Sequence, residues 1–296
     1  MVQNKINIAS YEDLMKCNFS KFSDYKPTLK NEISEFEHWN FYCNRFNTWY
    51  NNYKDTIITN SIPKIIHQIW IGSPLPDKYK KWCNSWKKIN PDWKYILWNE
   101  DDILSILTAE QKYIYLNSQN YGVKSDYGRY VILEKFGGVY CDTDFECVKP
   151  LDEISNSTTF FAGNIFSYRP QVNNAILGVV PHHPLFQLIL QTINNPITSN
   201  NAMSILESSG PIFLTTLINN NTQCLLPTDI IFPSQFFYPY PNFCLEKHET
   251  EIEIHKNYLK PHSFAIHYWE VSWVKKGFIY WIKKIIKICI FYKYWK

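Results

Sequence analysis

Apolar and polar positions along the chain predict strands and helices in alternation. Residues 62–72, IPKIIHQIWIG, are mostly apolar and precede a proline-containing turn, which predicts a buried parallel strand. Helical spacing of the apolar residues in 78–89 predicts a helix that stops before Asn90-Pro91. The later predicted elements are a strand at 93–98, helices at 100–116 and 125–136, and a strand that runs out into VYCDTDF, residues 139–145.

This alternation is typical of a doubly wound α/β domain, with a Rossmann-like, mostly parallel sheet flanked by helices. Ligands of such sheets bind at the carboxyl ends of the strands, which is where the acidic residues of VYCDTDF fall. We assign residues 58–275 to this domain. Helical spacing within 32–50 predicts an N-terminal helical extension, residues 1–57, that packs on the domain.

The last segment, residues 276–296, has a different pattern. Its apolar residues fall on one helical face and most of its lysines on the other, which predicts a basic amphipathic helix. Such a helix is suited to lie in a membrane interface. The alternative, that the apolar face packs on the domain while the lysines remain in water, stays open.

Composition narrows the class of protein. A net charge of +3 is too small to indicate nucleic acid binding. The eight cysteines form no C-x-x-C pair, so we expect reduced thiols rather than a zinc site. The sequence starts without an apolar leader and has no apolar run of ~18 residues. We therefore expect a cytoplasmic protein that is at most peripheral on the inner face of a membrane.

The strand end at Asp142-Thr143-Asp144 is the candidate chemical centre. Two carboxylates one residue apart on a strand project to the same face, and we expect that face to meet solvent. Carboxylate oxygens are ligands that Mg²⁺ and Mn²⁺ prefer, and such an ion would neutralise charge on a departing diphosphate. The alternative is a solvated acidic loop without an ion.

Together with NPDWKYILWNEDD and SDYGRYVILEKFGGVY, these motifs resemble glycosyltransferase family 32. More distantly, the chain is similar to the catalytic domains of the large clostridial glucosylating toxins. The resemblance covers residues 62–273. It implies a GT-A fold, a nucleotide-sugar donor, a divalent metal ion and retention of the anomeric configuration.

The resemblance also implies roles for individual residues. Trp70 matches an aromatic side chain that stacks on the donor base, the alternative being a core tryptophan at a strand end. The S-D-x-x-R group would hold the diphosphate and the sugar hydroxyls, the alternative being a helix cap with a surface ion pair. The donor-binding candidates are Trp70, Asn99, Ser125, Asp126, Arg129, Tyr140, Asn174 (or its neighbour Asn173), Ser272 and Trp273.

Near the end of the resembling region stands AIHYWEVSW. In GT-A enzymes a late histidine or acid completes the metal shell, so the resemblance implies His267 as the third metal ligand. The alternative is a buried structural histidine. Glu270 stands where the family pattern has a small or variable residue, and the sequence assigns it no role.

We therefore expect transfer of a hexosyl unit from a UDP- or GDP-sugar to an acceptor hydroxyl of a glycan or glycolipid, as in polysaccharide biosynthesis. Asp142, Asp144 and Arg129 are the catalytic candidates, with Mn²⁺ or Mg²⁺ as cofactor. Two alternatives remain open: a toxin-like effector that glycosylates a protein, and a non-catalytic sugar-binding protein of the same fold.

Overall fold

A computed structural model describes residues 32–165, 171–241 and 249–270, with side chains from residue 37 onward. The segments predicted as a membrane tail and as the first part of the N-terminal extension lie outside the described residues, as do Ser272 and Trp273. The helices are α1 (Glu32–Asn52), α2 (Asp77–Ile89), α3 (Glu100–Ile106), α4 (Ala109–Asn117), α5 (Tyr121–Phe136), α6 (Asp152–Ser155), α7 (Pro184–Thr192), α8 (Ala202–Ser208), α9 (Pro211–Asn220) and α10 (Glu251–Tyr258). The strands are β1 (Ile65–Ile69), β2 (Lys94–Trp98), β3 (Gly138–Cys141), β4 (Phe145–Cys147), β5 (Phe160–Asn164), β6 (Val172–Val179), β7 (Asp229–Phe232) and β8 (Ala265–His267).

The main sheet has six strands in the order β2-β1-β3-β6-β5-β7. β6 runs antiparallel to both of its neighbours, and the other three pairings are parallel. The strands β3, β5, β6 and β7 are buried along their whole length, as expected when helices cover both faces of a sheet. The predicted α/β class with a mostly parallel sheet is confirmed.

Two helix predictions were wrong in their bounds. The segment 100–116 forms two helices, because Leu107 is extended and Thr108 starts α4 with a capping box closed by Gln111. α5 begins at Tyr121, one turn earlier than predicted, because the Asn120 side chain caps it. Ser125 therefore lies inside the helix, and the alternative reading of it as a helix cap is wrong.

Helix α1 covers the edge strand β7 of the main sheet. The rings of Phe46 and Trp49 lie 6.1 and 4.9 Å from the ring of Phe232. Arg45 donates hydrogen bonds to the carbonyl oxygens of Asp229 and Leu226. A covered edge cannot pair with another chain, so this helix protects the sheet. The division of the chain at residue 57 stays a prediction.

Two glycines end α5 and lead the chain into β3. Gly137 and Gly138 have φ of 61° and 92°, a conformation that disfavours other residues. A Cβ atom on Gly138 would lie 2.6 Å from the carbonyl oxygen of Ile65, so no side chain fits there. The imidazole of His67 contacts the carbonyl of Gly137 at 3.0 Å, and burial lowers the pKa of His67 to about 4. This packing sets where β3 begins.

A second, two-stranded sheet joins β4 to β8 in antiparallel register. Its pairing sets His267 opposite Phe145, directly after the acidic segment. Within the described part of the chain, no helix is long and apolar enough to cross a bilayer.

Candidate metal and donor site

The acidic residues lie on a turn between β3 and β4. The turn is closed by the Phe145 N–H, which donates to the carbonyl of Asp142 over 3.1 Å. The Asp142 N–H donates to the carbonyl of Ala175 at 2.9 Å. Because β3 ends at Cys141, the prediction that Asp142 and Asp144 share one face of a strand was wrong. The turn, rather than strand alternation, brings the two carboxylates together.

Buried side chains hold this turn from two sides. The Gln68 carboxamide donates to the Asp142 carbonyl at 3.0 Å and accepts from the Tyr95 hydroxyl at 2.5 Å. On the other side, the Trp86 indole N–H donates to the carbonyl of Phe145 at 2.9 Å. Gln68 and Trp86 are both fully buried. Gln68 was not predicted from the sequence, although its place two residues before Trp70, on the strand beside β3, was a signal.

His267 lies next to Asp144. Its ring stacks on Phe145 at 4.4 Å, with the two planes 5° apart, and its Nε2 atom is 3.1 Å from Asp144 Oδ2. One ligand atom from each of Asp142, Asp144 and His267 lies within 4.8 Å of the others. The geometry therefore groups the three residues predicted as metal ligands.

The residues present fit a divalent ion. Two carboxylates and an imidazole are a donor set that Mn²⁺ accepts. The Nδ1 atom of His267 is buried and has no hydrogen-bond partner among the described residues, whereas Nε2 faces the Asp144 carboxylate. Nε2 is therefore the nitrogen placed to share an ion with Asp144.

Asp144 is not solvent-facing, which corrects the prediction. It is 4 % exposed, because the chain after β8 folds over it. The Glu270 N–H donates to Asp144 Oδ2 at 2.7 Å, and the Tyr268 N–H donates to the Asp144 carbonyl at 3.0 Å. Trp269, between them, has φ of 58°, which costs a non-glycine residue about 1 kcal/mol. The side chain of Asp142 is 30 % exposed.

Arg129 joins the helix motif to the acidic turn. It is 5 % exposed, and its guanidinium lies 3.1 Å from Asp126 and 3.3 Å from Asp142. It also donates to the Asn174 carbonyl at 2.7 Å and lies over the ring of Tyr140. Burial would lower the pKa of Arg129, but the carboxylates of Asp142 and Asp126 raise it above its ordinary value. The alternative reading as a surface ion pair is wrong.

The carboxylate of Asp126 is held by residues that are distant in sequence. It accepts from the Asn174 carboxamide and the Ser209 hydroxyl, both at 2.9 Å. Burial raises the pKa of Asp126 to about 6, although Arg129 acts in the opposite direction. Ser209 was missed, because nothing in its local sequence connects it to this site.

Tyr140 and Ser125 complete the group around the guanidinium. The Tyr140 hydroxyl donates to Asp142 Oδ1 at 2.7 Å, and the Ser125 hydroxyl accepts from Arg129 at 3.2 Å. Burial raises the pKa of Asp142, and Arg129 counteracts that rise. The structure thus collects Ser125, Asp126, Arg129, Tyr140, Asp142 and Asn174 into one network.

The two residues predicted to meet the nucleotide are more exposed. Trp70 is half-buried, packs on Tyr79 at 4.8 Å and donates to the Ser73 hydroxyl at 3.3 Å. It belongs to a smaller apolar cluster than the main core. Asn99 is exposed and caps α3 by accepting the Asp102 N–H at 2.9 Å. The predicted nucleotide contacts of Trp70 and Asn99 stay predictions.

Comparisons with known proteins agree with this geometry. Residues 76–161 match a family model described as the glycosyltransferase sugar-binding region containing the DXD motif. An uncharacterized glycosyltransferase of Acanthamoeba polyphaga mimivirus is 31 % identical over 189 residues, which cover 60 % of this chain and 73 % of that protein. Inositol phosphoceramide mannosyltransferase 1 of Schizosaccharomyces pombe is 32 % identical over 165 residues, covering 52 % of this chain and 50 % of the yeast protein.

Among solved structures, the catalytic domain of alpha-toxin from Clostridium novyi aligns with a TM-score of 0.47 and 12 % identity, covering 82 % of this chain and 85 % of the toxin domain. The chain spans about half the length of the yeast mannosyltransferases it matches. The chain belongs to the glycosyltransferase family whose sugar-binding region contains the DXD motif.

Proposed function

We propose that this protein transfers a hexosyl unit from a UDP- or GDP-sugar to an acceptor hydroxyl, with a divalent metal ion held by Asp142, Asp144 and His267. The observation that carries the proposal is the grouping of these three side chains within 4.8 Å, next to a buried arginine. When bound, the ion supplies positive charge that stabilises the departing diphosphate.

The donor set favours Mn²⁺ over Mg²⁺. Mg²⁺ prefers oxygen ligands in near-ideal octahedral geometry, whereas the third side chain here offers an imidazole nitrogen. His267 is 7 % exposed and packed between the rings of Phe145 and Trp269, so it has little freedom to withdraw from the site. We therefore expect higher activity with Mn²⁺.

The buried network has two tasks in this proposal. Arg129 and Tyr140 both contact the Oδ1 atom of Asp142 and hold its carboxylate in place. Asn174, Ser209 and Arg129 hold the buried carboxylate of Asp126, and its contact with hydroxyls of the donor sugar stays a prediction. Retention of configuration, with the leaving phosphate taking the acceptor proton, is part of the proposal through the family resemblance.

The acceptor is proposed from the relatives. The yeast proteins are named as inositol phosphoceramide mannosyltransferases, so a mannosyl donor and a glycolipid or glycan acceptor are the first to test. A role in polysaccharide biosynthesis, the cytoplasmic location and membrane contact through residues 276–296 stay predictions.

A donor-hydrolysis screen tests the proposal. The purified protein is incubated with GDP-mannose, UDP-glucose, UDP-galactose and UDP-N-acetylglucosamine, each with Mn²⁺, with Mg²⁺ and with EDTA. We expect one donor to be hydrolysed with Mn²⁺ and none with EDTA. Equal rates in EDTA would contradict the proposed metal site. The absence of hydrolysis or transfer with every donor would contradict the proposed enzymatic activity.

A further inference from the structure

An ion pair at the edge of the metal site has no task in the function proposed above. Lys78, on the first turn of α2, has its ammonium 2.6 Å from Glu270 Oε2. Both side chains are about half exposed, at 51 % and 41 %. Glu270 also holds Asp144 through its backbone N–H, so this pair borders the metal ligands directly.

Lys78 lies between Trp70, the proposed platform for the base, and Asp144, a proposed metal ligand. Its ammonium is 4.7 Å from the centre of the Tyr79 ring, and that ring packs on Trp70 at 4.8 Å. In the other direction, Glu270 links Lys78 to Asp144. A nucleoside diphosphate with its base on Trp70 and its phosphates at the metal ligands would pass beside this ammonium.

Lys78 is better able than Arg129 to bind the phosphates of the donor. The Arg129 guanidinium is buried and already contacts Asp126, Asp142 and the Asn174 carbonyl. Lys78 can leave its partner easily, since an ion pair between half-exposed side chains contributes little stability. A diphosphate carries more negative charge than one carboxylate, so it attracts the ammonium more strongly.

We propose that Lys78 binds the diphosphate of the donor, and that Glu270 holds Lys78 in the donor-free protein and competes with the phosphates for it. The inference rests on the proposed function and names a further donor-binding residue of that site.

The chain offers a matched control on the same helix. Lys80 is 59 % exposed and pairs with Asp77 of its own helix at 2.6 Å, away from Glu270. The Lys80→Gln substitution therefore removes one positive charge from α2 without touching the proposed contact. Glu270→Gln removes the competing charge but keeps the backbone N–H that Asp144 accepts.

Calorimetric titration of the full-length protein with UDP, GDP, uridine and guanosine in MnCl₂ tests the inference. For the diphosphate that binds, we expect Lys78→Gln to weaken affinity about tenfold, as for the loss of one charge-assisted contact. Its matching nucleoside should bind with unchanged affinity. Glu270→Gln should tighten diphosphate binding by roughly threefold, and Lys80→Gln should match the native protein.

Each other outcome has a defined meaning. Equal diphosphate affinity of Lys78→Gln and Lys80→Gln would overturn the inference and leave the proposed function intact. Weaker binding by Glu270→Gln would show that the pair only supports Asp144, and would overturn it too. Failure of the native protein to bind either diphosphate would overturn the proposed function together with the inference.

Discussion

The end of the site proposed to hold a metal ion (the metal end) and the end proposed to meet the nucleotide (the nucleotide end) differ in how firmly the protein holds their side chains. At the metal end, Asp126, Arg129 and Asp144 are each less than a tenth exposed and each contacts at least two other groups. At the nucleotide end, Trp70 is half-buried with one 3.3 Å hydrogen bond to Ser73, and Asn99 is an exposed helix cap.

This difference follows from the charges that each end carries. Buried carboxylates and a buried guanidinium are costly unless every one is paired, so the metal end must be rigid. An aromatic platform needs no charge partner and can adjust to its ligand. Substitutions at the metal end should therefore affect turnover and stability, and those at the nucleotide end should affect donor affinity.

The largest expected effect is that of Asp144→Asn on turnover. A neutral amide is a poor ligand for a hard divalent ion, so the rate should fall on the order of a thousandfold, equivalent to several kcal/mol. The amide oxygen can still accept the Glu270 N–H, so the melting temperature should change by only a few degrees. Steady-state kinetics and thermal unfolding measure both, and native turnover in this variant would remove the metal mechanism.

Arg129 tests whether the metal end is also a source of stability. Arg129→Ala leaves Asp126 and Asp142 without their buried partner, so the free energy of unfolding should fall by about 3–5 kcal/mol. Arg129→Lys should regain part of that stability but not native turnover, because a point charge cannot bridge both carboxylates and the Asn174 carbonyl. Urea unfolding and turnover of the two variants decide this. An alanine variant as stable and as active as the native protein would show that Arg129 contributes to neither stability nor turnover.

A smaller effect, on Mn²⁺ affinity, is expected at Gln68, which contacts the acidic turn through the Asp142 carbonyl. Gln68→Leu removes the donor to the Asp142 carbonyl, and Mn²⁺ affinity should fall about tenfold, as for other groups that orient metal ligands. Tyr95→Phe keeps that donor and serves as the control, with a smaller loss. Calorimetric Mn²⁺ titration of both variants measures the difference. Equal Mn²⁺ affinities of the two variants would show that the contact between Trp86 and Phe145 suffices to hold the turn.

The smallest effect on chemistry is expected at Trp70. Trp70→Ala should raise the donor Michaelis constant by up to about tenfold, the upper range for an aromatic stacking contact, and leave turnover nearly unchanged. The variant should fold, because the side chain is only half-buried and lies outside the main core. Loss of cooperative unfolding would instead identify Trp70 as a structural residue.

Local sequence was sufficient where the structure depends on neighbours in the chain. The strand at 93–98 and the helix that ends at Ile89 were predicted nearly to the residue, because their apolar spacing and the Asn90-Pro91 stop are local signals. The break near Leu107 was missed, although Thr108 and Gln111 form a capping box that the sequence displays.

The sequence by itself determined the α/β alternation, the glycine turn before β3 and the acidic motif, whose chemistry suits a divalent ion whatever surrounds it. Only the tertiary structure decided that Asp144 is buried, that Ser209 reaches Asp126 and that Lys78 meets Glu270, 192 residues away. The burial of Asp144 and the Lys78–Glu270 pair depend on how the chain after β8 packs over the turn. Burial and pairing of charges are properties of that packing, which no local spacing of residues encodes.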